Sequence, residues 1–474
     1  MGMMKILLLQ PLVPRHILWG KFEKGEGFVP PIGLLCLAAF LRDKGYDVLI
    51  KDAQVERLTE EDLVHYLRNG AFDVVGISTF TNSIAFSYYT AKIVKLALPG
   101  CQLVFGGVHA TILPEQTLND CPEADYIILG EGEFRMEKLL KYLEGKMIDL
   151  KEIDGVAYRR DGKNEVQPAL GVIKDIDSLP LPAYDLVEMR KYVPHPSQYK
   201  TLPNYPLIIQ RGCPYLCNFC SAHIVHGRNV RFKSVDKVMV ELRLLKEKYG
   251  AKGVYFQDST FLINKVYISE LLNRMIKEKL NLVWACNTRV NTVDPEILSL
   301  MRRAGCWMIA YGIESGNQKS LNLMKKGVTV EQNEQAVKLT KKAGIAPVCC
   351  YILCLPGENY EDSLNTVKFA LKLRSQMALF YLPVPYPGTE LLELCRLEGG
   401  LQPNAKWEDY SALDFSNPVY VNPLIGKEKM QELLSLAYKK YYSNFVVILE
   451  NVISVRSITD IKKYLTAFRA IFNF

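Results

Sequence analysis

Short apolar runs alternate with longer amphipathic stretches in two separate series along this chain, and such an alternation folds into parallel sheets flanked by helices. The first series places strands at Lys5–Gln10, Asp47–Lys51, Val74–Thr79, Gln102–Gly106 and Tyr126–Leu129, with helices near residues 32–44, 59–69, 83–97 and 134–144. Residues 1–145 are therefore expected to form an α/β unit built on a five-stranded, doubly wound parallel sheet. The second series, at Pro206–Gln210, Gly253–Gln257, Val283–Asn287, Met308–Gly312, Pro347–Leu353 and Met377–Leu382, predicts a partial (β/α)6 barrel of the TIM type over residues 201–405. Residues 146–200 hold Asp154-Gly155, Asp161-Gly162, Ser178-Leu-Pro-Leu-Pro182 and Pro194-His-Pro196, and read as a linker with a short hairpin at Asp161-Gly162. Residues 406–474 read as a helical C-terminal region.

Bulk composition narrows the function classes. A formal charge of +7 over 474 residues is mild, and no Lys/Arg run marks a nucleic-acid footprint, so no nucleic-acid partner is expected. No window reaches the uninterrupted apolar length of a membrane span, and Met1–Gln10 runs into a strand without the pattern of a secretory signal. The twelve cysteines are irregularly spaced. A reducing cytoplasm is the expected compartment.

Three of those cysteines, Cys213, Cys217 and Cys220, stand C-x3-C-x2-C in the run Gln210-Arg-Gly-Cys-Pro-Tyr-Leu-Cys-Asn-Phe-Cys-Ser-Ala222. Thiols so spaced on one loop can hold three irons of a 4Fe-4S cube, and the loop offers no fourth. One iron stays open to bind a small molecule and pass it an electron. A structural zinc is disfavoured, because zinc takes four ligands, commonly in pairs.

In a doubly wound sheet, ligands bind at the carboxyl ends of the strands. Those ends carry Ser78-Thr79, Gly106-Gly107-Val-His109-Ala-Thr111 and Gly130-Glu131-Gly132-Glu133, and the glycines permit close approach of a flat ligand. On these turns alone, a flavodoxin-like unit that binds a nucleotide or nothing fits equally well. Taken together in this strand order, they resemble the cobalamin-binding domain that precedes the barrel in one class of radical S-adenosylmethionine enzymes. The resemblance implies a cobalamin held by Ser78, Thr79, Gly106, Gly107, His109, Thr111, Gly130, Glu131, Gly132 and Glu133. The chain departs from the signature Asp-x-His-x-x-Gly: after the first strand stands Pro14-Arg-His16-Ile-Leu-Trp-Gly20. His16 is therefore not assigned to cobalt, and the cobalamin is expected base-off without a histidine ligand.

The second series resembles the same class. Phe256-Gln-Asp-Ser-Thr-Phe261 is similar to its Phe-x-Asp-Asp-x-Phe motif, with Ser259 in place of the second Asp. Asn287-Thr-Arg289, Gly312-Ile-Glu314-Ser-Gly316, Leu355-Pro-Gly-Glu358 and Tyr386-Pro-Gly-Thr389 follow the next four strands. The resemblance implies that S-adenosylmethionine chelates the open iron, with Asp258 and Glu314 accepting hydrogen bonds from it. It further implies that Arg289 pairs with its carboxylate, that backbone near Pro356 and Gly357 reads adenine, and that Phe219 packs on the base. A salt-bridge network under the barrel rim remains the structural alternative for Asp258, Arg289 and Glu314. Cys286, Cys306, Cys349, Cys350 and Cys354 are read as core packing, with a cobalt or substrate contact the alternative on the strand of Cys349, Cys350 and Cys354, where Cys350 and Cys354 share a face.

In the C-terminal region, Phe445–Val455 is apolar apart from Glu450 and the polar pair Asn451 and Ser454, and it is flanked by Lys439, Lys440, Arg456, Lys462, Lys463 and Arg469. It is expected to cover the open side of the barrel, the alternative being a peripheral membrane contact. The resemblance implies a radical enzyme acting on a small-molecule or lipid substrate. Cleavage of S-adenosylmethionine would give a 5′-deoxyadenosyl radical that removes hydrogen from an unactivated carbon, and methylcobalamin would then supply a methyl group. A flavodoxin or ferredoxin is the implied electron donor. A cyclase without methyl transfer and a non-catalytic cobalamin or redox sensor are the rival readings.

Overall fold

Ile6, Leu7, Leu8 and Leu9 are all buried, so strand β1 (Lys5–Gln10) must lie inside a sheet covered on both faces. The computed structural model, which describes residues 4–20, 27–146 and 149–454, places it there. With β2 (Asp47–Asp52), β3 (Val74–Thr79), β4 (Gln102–Gly107) and β5 (Tyr126–Ile128) it forms a parallel sheet. The sheet continues past residue 145. The hairpin β6 (Val156–Arg160) and β7 (Lys163–Val166) pairs antiparallel to β5, and the order becomes β2-β1-β3-β4-β5-β6-β7. Ile127 and Ile128 are buried, so the outer edge of β5 needs a covering strand, and β6 supplies it. The polar face of β7 hides this pairing from a hydrophobicity pattern.

The remainder of 146–200 is irregular but tied to both units. Tyr184 donates to Glu241 Oε1 at 2.7 Å, the Ser234 amide donates to Asp177 Oδ1 at 2.7 Å, and Tyr192 donates to Asp52 Oδ2 at 3.1 Å.

The second sheet is a half-open barrel in chain order. Strand β8 (Asn204–Leu207) is followed by a separate antiparallel ribbon of β9 (Gln210–Arg211) and β10 (Arg231–Phe232). Then come β11 (Gly253–Phe256), β12 (Val283–Thr288), β13 (Cys306–Glu314), β14 (Ala346–Ile352) and β15 (Met377–Tyr381), all parallel, in the order β15-β14-β13-β12-β11-β8. The first barrel strand thus stops at Leu207, short of the predicted Gln210, because Asp258 Oδ1 accepts the amides of Ile209 and Gln210, both at 2.9 Å.

An open barrel leaves an edge strand with unpaired backbone groups. The helix Lys427–Tyr442 caps it. Tyr438 Oη accepts from the Phe380 amide at 3.2 Å and donates to its carbonyl at 3.0 Å, and Tyr442 Oη does the same to Ala378 at 3.3 and 2.9 Å. Four helical residues rise about 6 Å and two strand residues about 6.6 Å, so the two hydroxyls stay in register with alternate strand residues. The covering role expected of Phe445–Val455 falls instead to this earlier helix, whose tyrosines bond the backbone of the edge strand. The next helix, Phe445–Ser454, exposes Phe445, Val446, Ile448 and Leu449. Arg456, Lys462, Lys463 and Arg469 lie outside the described residues. Among the described residues, no helix is long and apolar enough to cross a membrane.

Candidate functional site

The cluster loop leaves the β9 ribbon through Gly212, whose φ of +97° and closeness to Asn229 admit no side chain: a Cβ would lie 2.2 Å from the Asn229 carbonyl oxygen. Asn218 pins the loop from within. Its amide donates to the Met324 carbonyl at 3.1 Å, its side chain to the Leu323 carbonyl at 2.8 Å, and its own carbonyl accepts from the Leu391 amide at 3.0 Å. Cys213, Cys217 and Cys220, all half-buried free thiols, thereby line one cavity of about 240 Å³ at the barrel mouth.

Among the described residues, no three His, Cys, Asp or Glu side chains converge as ligands of one metal ion would. A cube asks for something else, since its cysteines bind different irons. Cys350 lines the same cavity from β14, where its charged neighbours are Glu314 and Lys326; burial pushes its thiol up to about 12. It is a neutral wall residue, whereas Cys349 and Cys354 are buried in the core as expected.

Around the thiols stand Phe219, Arg289 and Glu314, all three expected from sequence. Arg289 stacks 3.7 Å above the Tyr215 ring, donates to Cys217 Sγ at 3.2 Å and to the Lys326 carbonyl, and keeps a buried Nε without a partner. Glu314, at φ +64°, accepts from the buried Lys326 ammonium at 2.6 Å, and that ammonium lies 5.7 Å from the centre of the Phe219 ring. Lys326 and Tyr215 also line this cavity, without a signal that singles them out as strand-end residues. Lys326 sits in Lys325-Lys-Gly327, which reads as a solvated turn, but Tyr215 lies inside the cysteine run and was visible there.

A second cavity of about 410 Å³ lies between the carboxyl ends of β3, β4 and β5 and the barrel mouth, and Ser259 lines both cavities. Ser78, Gly106, Gly107, Gly130, Glu131, Gly132 and Glu133 face it as predicted. Gly33, on the helix Ile32–Asp43, lines it too, and a Cβ there would meet nothing within 4 Å. Gly33 therefore holds open space that a side chain would fill, while a Cβ at Gly106 or Gly132 would sit in contact with Ile128 at 3.7 Å.

Three predicted contacts are not in that lining. Thr79 donates to the Gly106 carbonyl at 2.8 Å, Thr111 accepts from the Gly130 amide at 2.9 Å, and both brace the turns from behind. His109 is 1% exposed and packs edge-on against Trp407 at 4.8 Å, and burial lowers its pKa to about 4. Asp258 belongs to the interdomain cavity and is absent from the cluster cavity's lining. Pro356 and Gly357 line neither: the Gly357 amide donates to Glu398 at 2.8 Å and the Leu355 amide to Glu358 at 3.1 Å, so that loop's donors serve its own chain.

Glu131 and Glu133 reach across to the barrel. Glu131 accepts from Arg231 Nη1 at 2.8 Å and Nη2 at 2.9 Å and from the Ile173 amide at 2.7 Å, and Glu133 accepts from Arg211 at 2.5 Å. Burial alone would raise the Glu131 pKa, but hydrogen bonds from His226 and Arg231 and the charge of Arg211 hold it down at about 2. The Gly130–Glu133 turn is thus an ionic clamp between the two units as well as a cavity wall.

The Radical SAM superfamily model matches residues 207–370, and the B12 binding domain model matches residues 22–140. An uncharacterized methyltransferase of Pyrococcus horikoshii is 34% identical over 95% of both chains. The chain belongs to the cobalamin-binding radical S-adenosylmethionine enzymes. The anaerobic magnesium-protoporphyrin IX monomethyl ester cyclase of Rubrivivax gelatinosus is 29% identical, over 88% of this chain and 74% of its own. In fold, the chain matches the radical S-adenosylmethionine methyltransferase TsrM of Kitasatospora setae with cobalamin and 4Fe-4S cluster bound, at a TM-score of 0.72 and 17% identity, covering 92% of this chain and 89% of that one. The cofactors of this radical S-adenosylmethionine enzyme are a 4Fe-4S cluster, S-adenosylmethionine and cobalamin. Three thiols around one cavity suit the cluster, and the glycine-walled space facing them suits the corrinoid.

Proposed function

We propose that the chain is a radical C-methyltransferase that modifies an unactivated carbon of a small organic molecule. The observation that carries this reading is that Ser259 lines both cavities, so that a radical source and a methyl donor bound in them would stand on either side of one residue. When bound, the cluster with S-adenosylmethionine supplies a hydrogen-abstracting 5′-deoxyadenosyl radical and the cobalamin supplies the methyl group. Cys213, Cys217 and Cys220 hold the cluster. Arg289 offers its unpaired Nε to the methionyl carboxylate, Glu314 accepts from the ammonium or ribose, and Phe219 packs on adenine. Ser78 and the glycines at 106, 107, 130 and 132 form the wall against the corrin. The histidine that lines this cavity, His226, comes from the barrel side and lies 3.2 Å from Glu131, which supports a cobalamin without an imidazole on cobalt.

An electron donor such as flavodoxin or ferredoxin docks over the exposed Pro214 and Leu216 of the cluster loop. The exposed face of Phe445, Val446, Ile448 and Leu449 is the surface through which a peripheral lipid contact is made, and co-sedimentation with anionic vesicles tests it.

The central test is anaerobic turnover with S-adenosylmethionine carrying a deuterated methyl group, cobalamin, a reductant and a small-molecule extract. Formation of both 5′-deoxyadenosine and S-adenosylhomocysteine, with label in a new product, is expected. 5′-Deoxyadenosine without S-adenosylhomocysteine overturns methyl transfer in favour of a cyclase. Cys217→Ala abolishes nucleoside formation and leaves cobalamin binding intact.

A further inference from the structure

The wall of the interdomain cavity that belongs to the barrel has an unusual polar inventory. Its cations are already engaged: Lys233 donates to Glu241 at 2.7 Å and Arg211 to Glu133 at 2.5 Å. Two of its acceptor oxygens are not. Asp258, 2% exposed, uses Oδ1 to receive the amides of Ile209 and Gln210, while Oδ2 has no partner. Gln210, 4% exposed, donates through Nε2 to the Thr260 carbonyl at 2.6 Å, while Oε1 has no partner. Both residues line the cavity, and no other cavity-lining residue has an unpaired buried side-chain polar atom among those described.

A buried acceptor without a hydrogen bond is costly, so two on adjoining backbone imply a donor that arrives with a ligand. Both side chains are fixed by their other atoms, which makes the pair a preformed receptor for N–H or O–H donors. Opposite lie Gly106, Gly107, Gly130 and Gly132 of the cobalamin-binding unit. The corrin of cobalamin carries carboxamide side chains on its rim, and these would supply such donors in a cavity walled by those glycines.

We infer that Asp258 and Gln210 form a corrin-rim subsite, in which their unpaired oxygens accept carboxamide N–H donors. This rests on the proposed cobalamin site and moves Asp258 from an S-adenosylmethionine contact to a corrinoid contact. Ser259, the next residue, lines both cavities, so the subsite adjoins the cluster cavity.

The test uses the full chain with its cluster reconstituted, as wild type, Gln210→Met and Asp258→Asn; the latter keeps the acceptor at Oδ1 and replaces the unpaired oxygen by a donor. Dissociation constants for hydroxocobalamin and S-adenosylmethionine are measured alongside iron content, which reports an intact cluster loop. Each variant is expected to bind hydroxocobalamin about tenfold more weakly, with S-adenosylmethionine affinity and iron content unchanged. Heptamethyl cobyrinate, whose rim carries esters without N–H donors, is expected to gain no advantage from wild type over either variant. Equal hydroxocobalamin affinity in all three proteins overturns the subsite and assigns the acceptors to the substrate. Parallel loss of both ligands, or of the ester corrinoid as well, overturns it in favour of a purely structural role. A wild-type chain that binds no corrinoid overturns the cobalamin site itself, a separate result.

Discussion

The ionic clamp at Glu131 makes a quantitative claim about how the two units are held together. Its carboxylate receives both Arg231 nitrogens and the Ile173 amide while being 4% exposed. Its folded pKa of about 2 lies below the ordinary glutamate value of 4.5, a difference worth about 3 kcal/mol at neutral pH. Removing one member of a buried ion pair costs about 3–5 kcal/mol by a separate route, so the two figures agree. The sign follows from the depressed value: the stabilisation is complete above about pH 5 and fades as pH falls from the unfolded toward the folded pKa. Glu131→Gln keeps the shape and removes the charge. Urea unfolding of wild type and variant, followed by far-UV circular dichroism at pH 7 and at pH 3.5, measures the difference. A gap of about 3 kcal/mol at pH 7 that shrinks to about 2 kcal/mol at pH 3.5 is expected. A gap below about 1 kcal/mol at pH 7, or one that stays constant with pH, refutes the clamp as the source of the low pKa.

Arg289→Met removes a cationic donor from Cys217 Sγ, so the cluster's midpoint potential should move about 60 mV more negative in an EPR-monitored redox titration, whereas Arg289→Lys restores part of the shift. Tyr442→Phe removes both bonds to Ala378 at the barrel edge and is expected to cost about 1–3 kcal/mol, read as faster hydrogen exchange at the Ala378 amide. Gly33→Leu should act in opposite directions: a better helix former gains up to about 1 kcal/mol in the apo protein, while its side chain fills the interdomain cavity and weakens hydroxocobalamin binding more than tenfold. Calorimetry and a spectroscopic titration separate the two effects.

Local chemistry was legible in the chain because it depends on neighbours in sequence. The C-x3-C-x2-C loop needs only its own spacing to gather three thiols, and the strand–helix alternation needs only hydrophobic period, so the thiol loop and the parallel strands of both sheets follow from the residues alone. Phe219, Arg289 and Glu314 reached the cluster cavity for the same reason, standing within the loop or at strand ends where a barrel turns side chains to its mouth. Pairings across long separations were decided by the tertiary structure. Asp258 was diverted to the interdomain wall because one of its oxygens terminates β8, and Glu131 and Glu133 became a clamp because Arg231 and Arg211 arrive from a ribbon about a hundred and about eighty residues later. The polar strand β7 and the tyrosines capping β15 carry no hydrophobic period that could announce them. A sequence specifies which groups lie at the end of a strand; the donors they meet depend on how two separately folded sheets are set against each other.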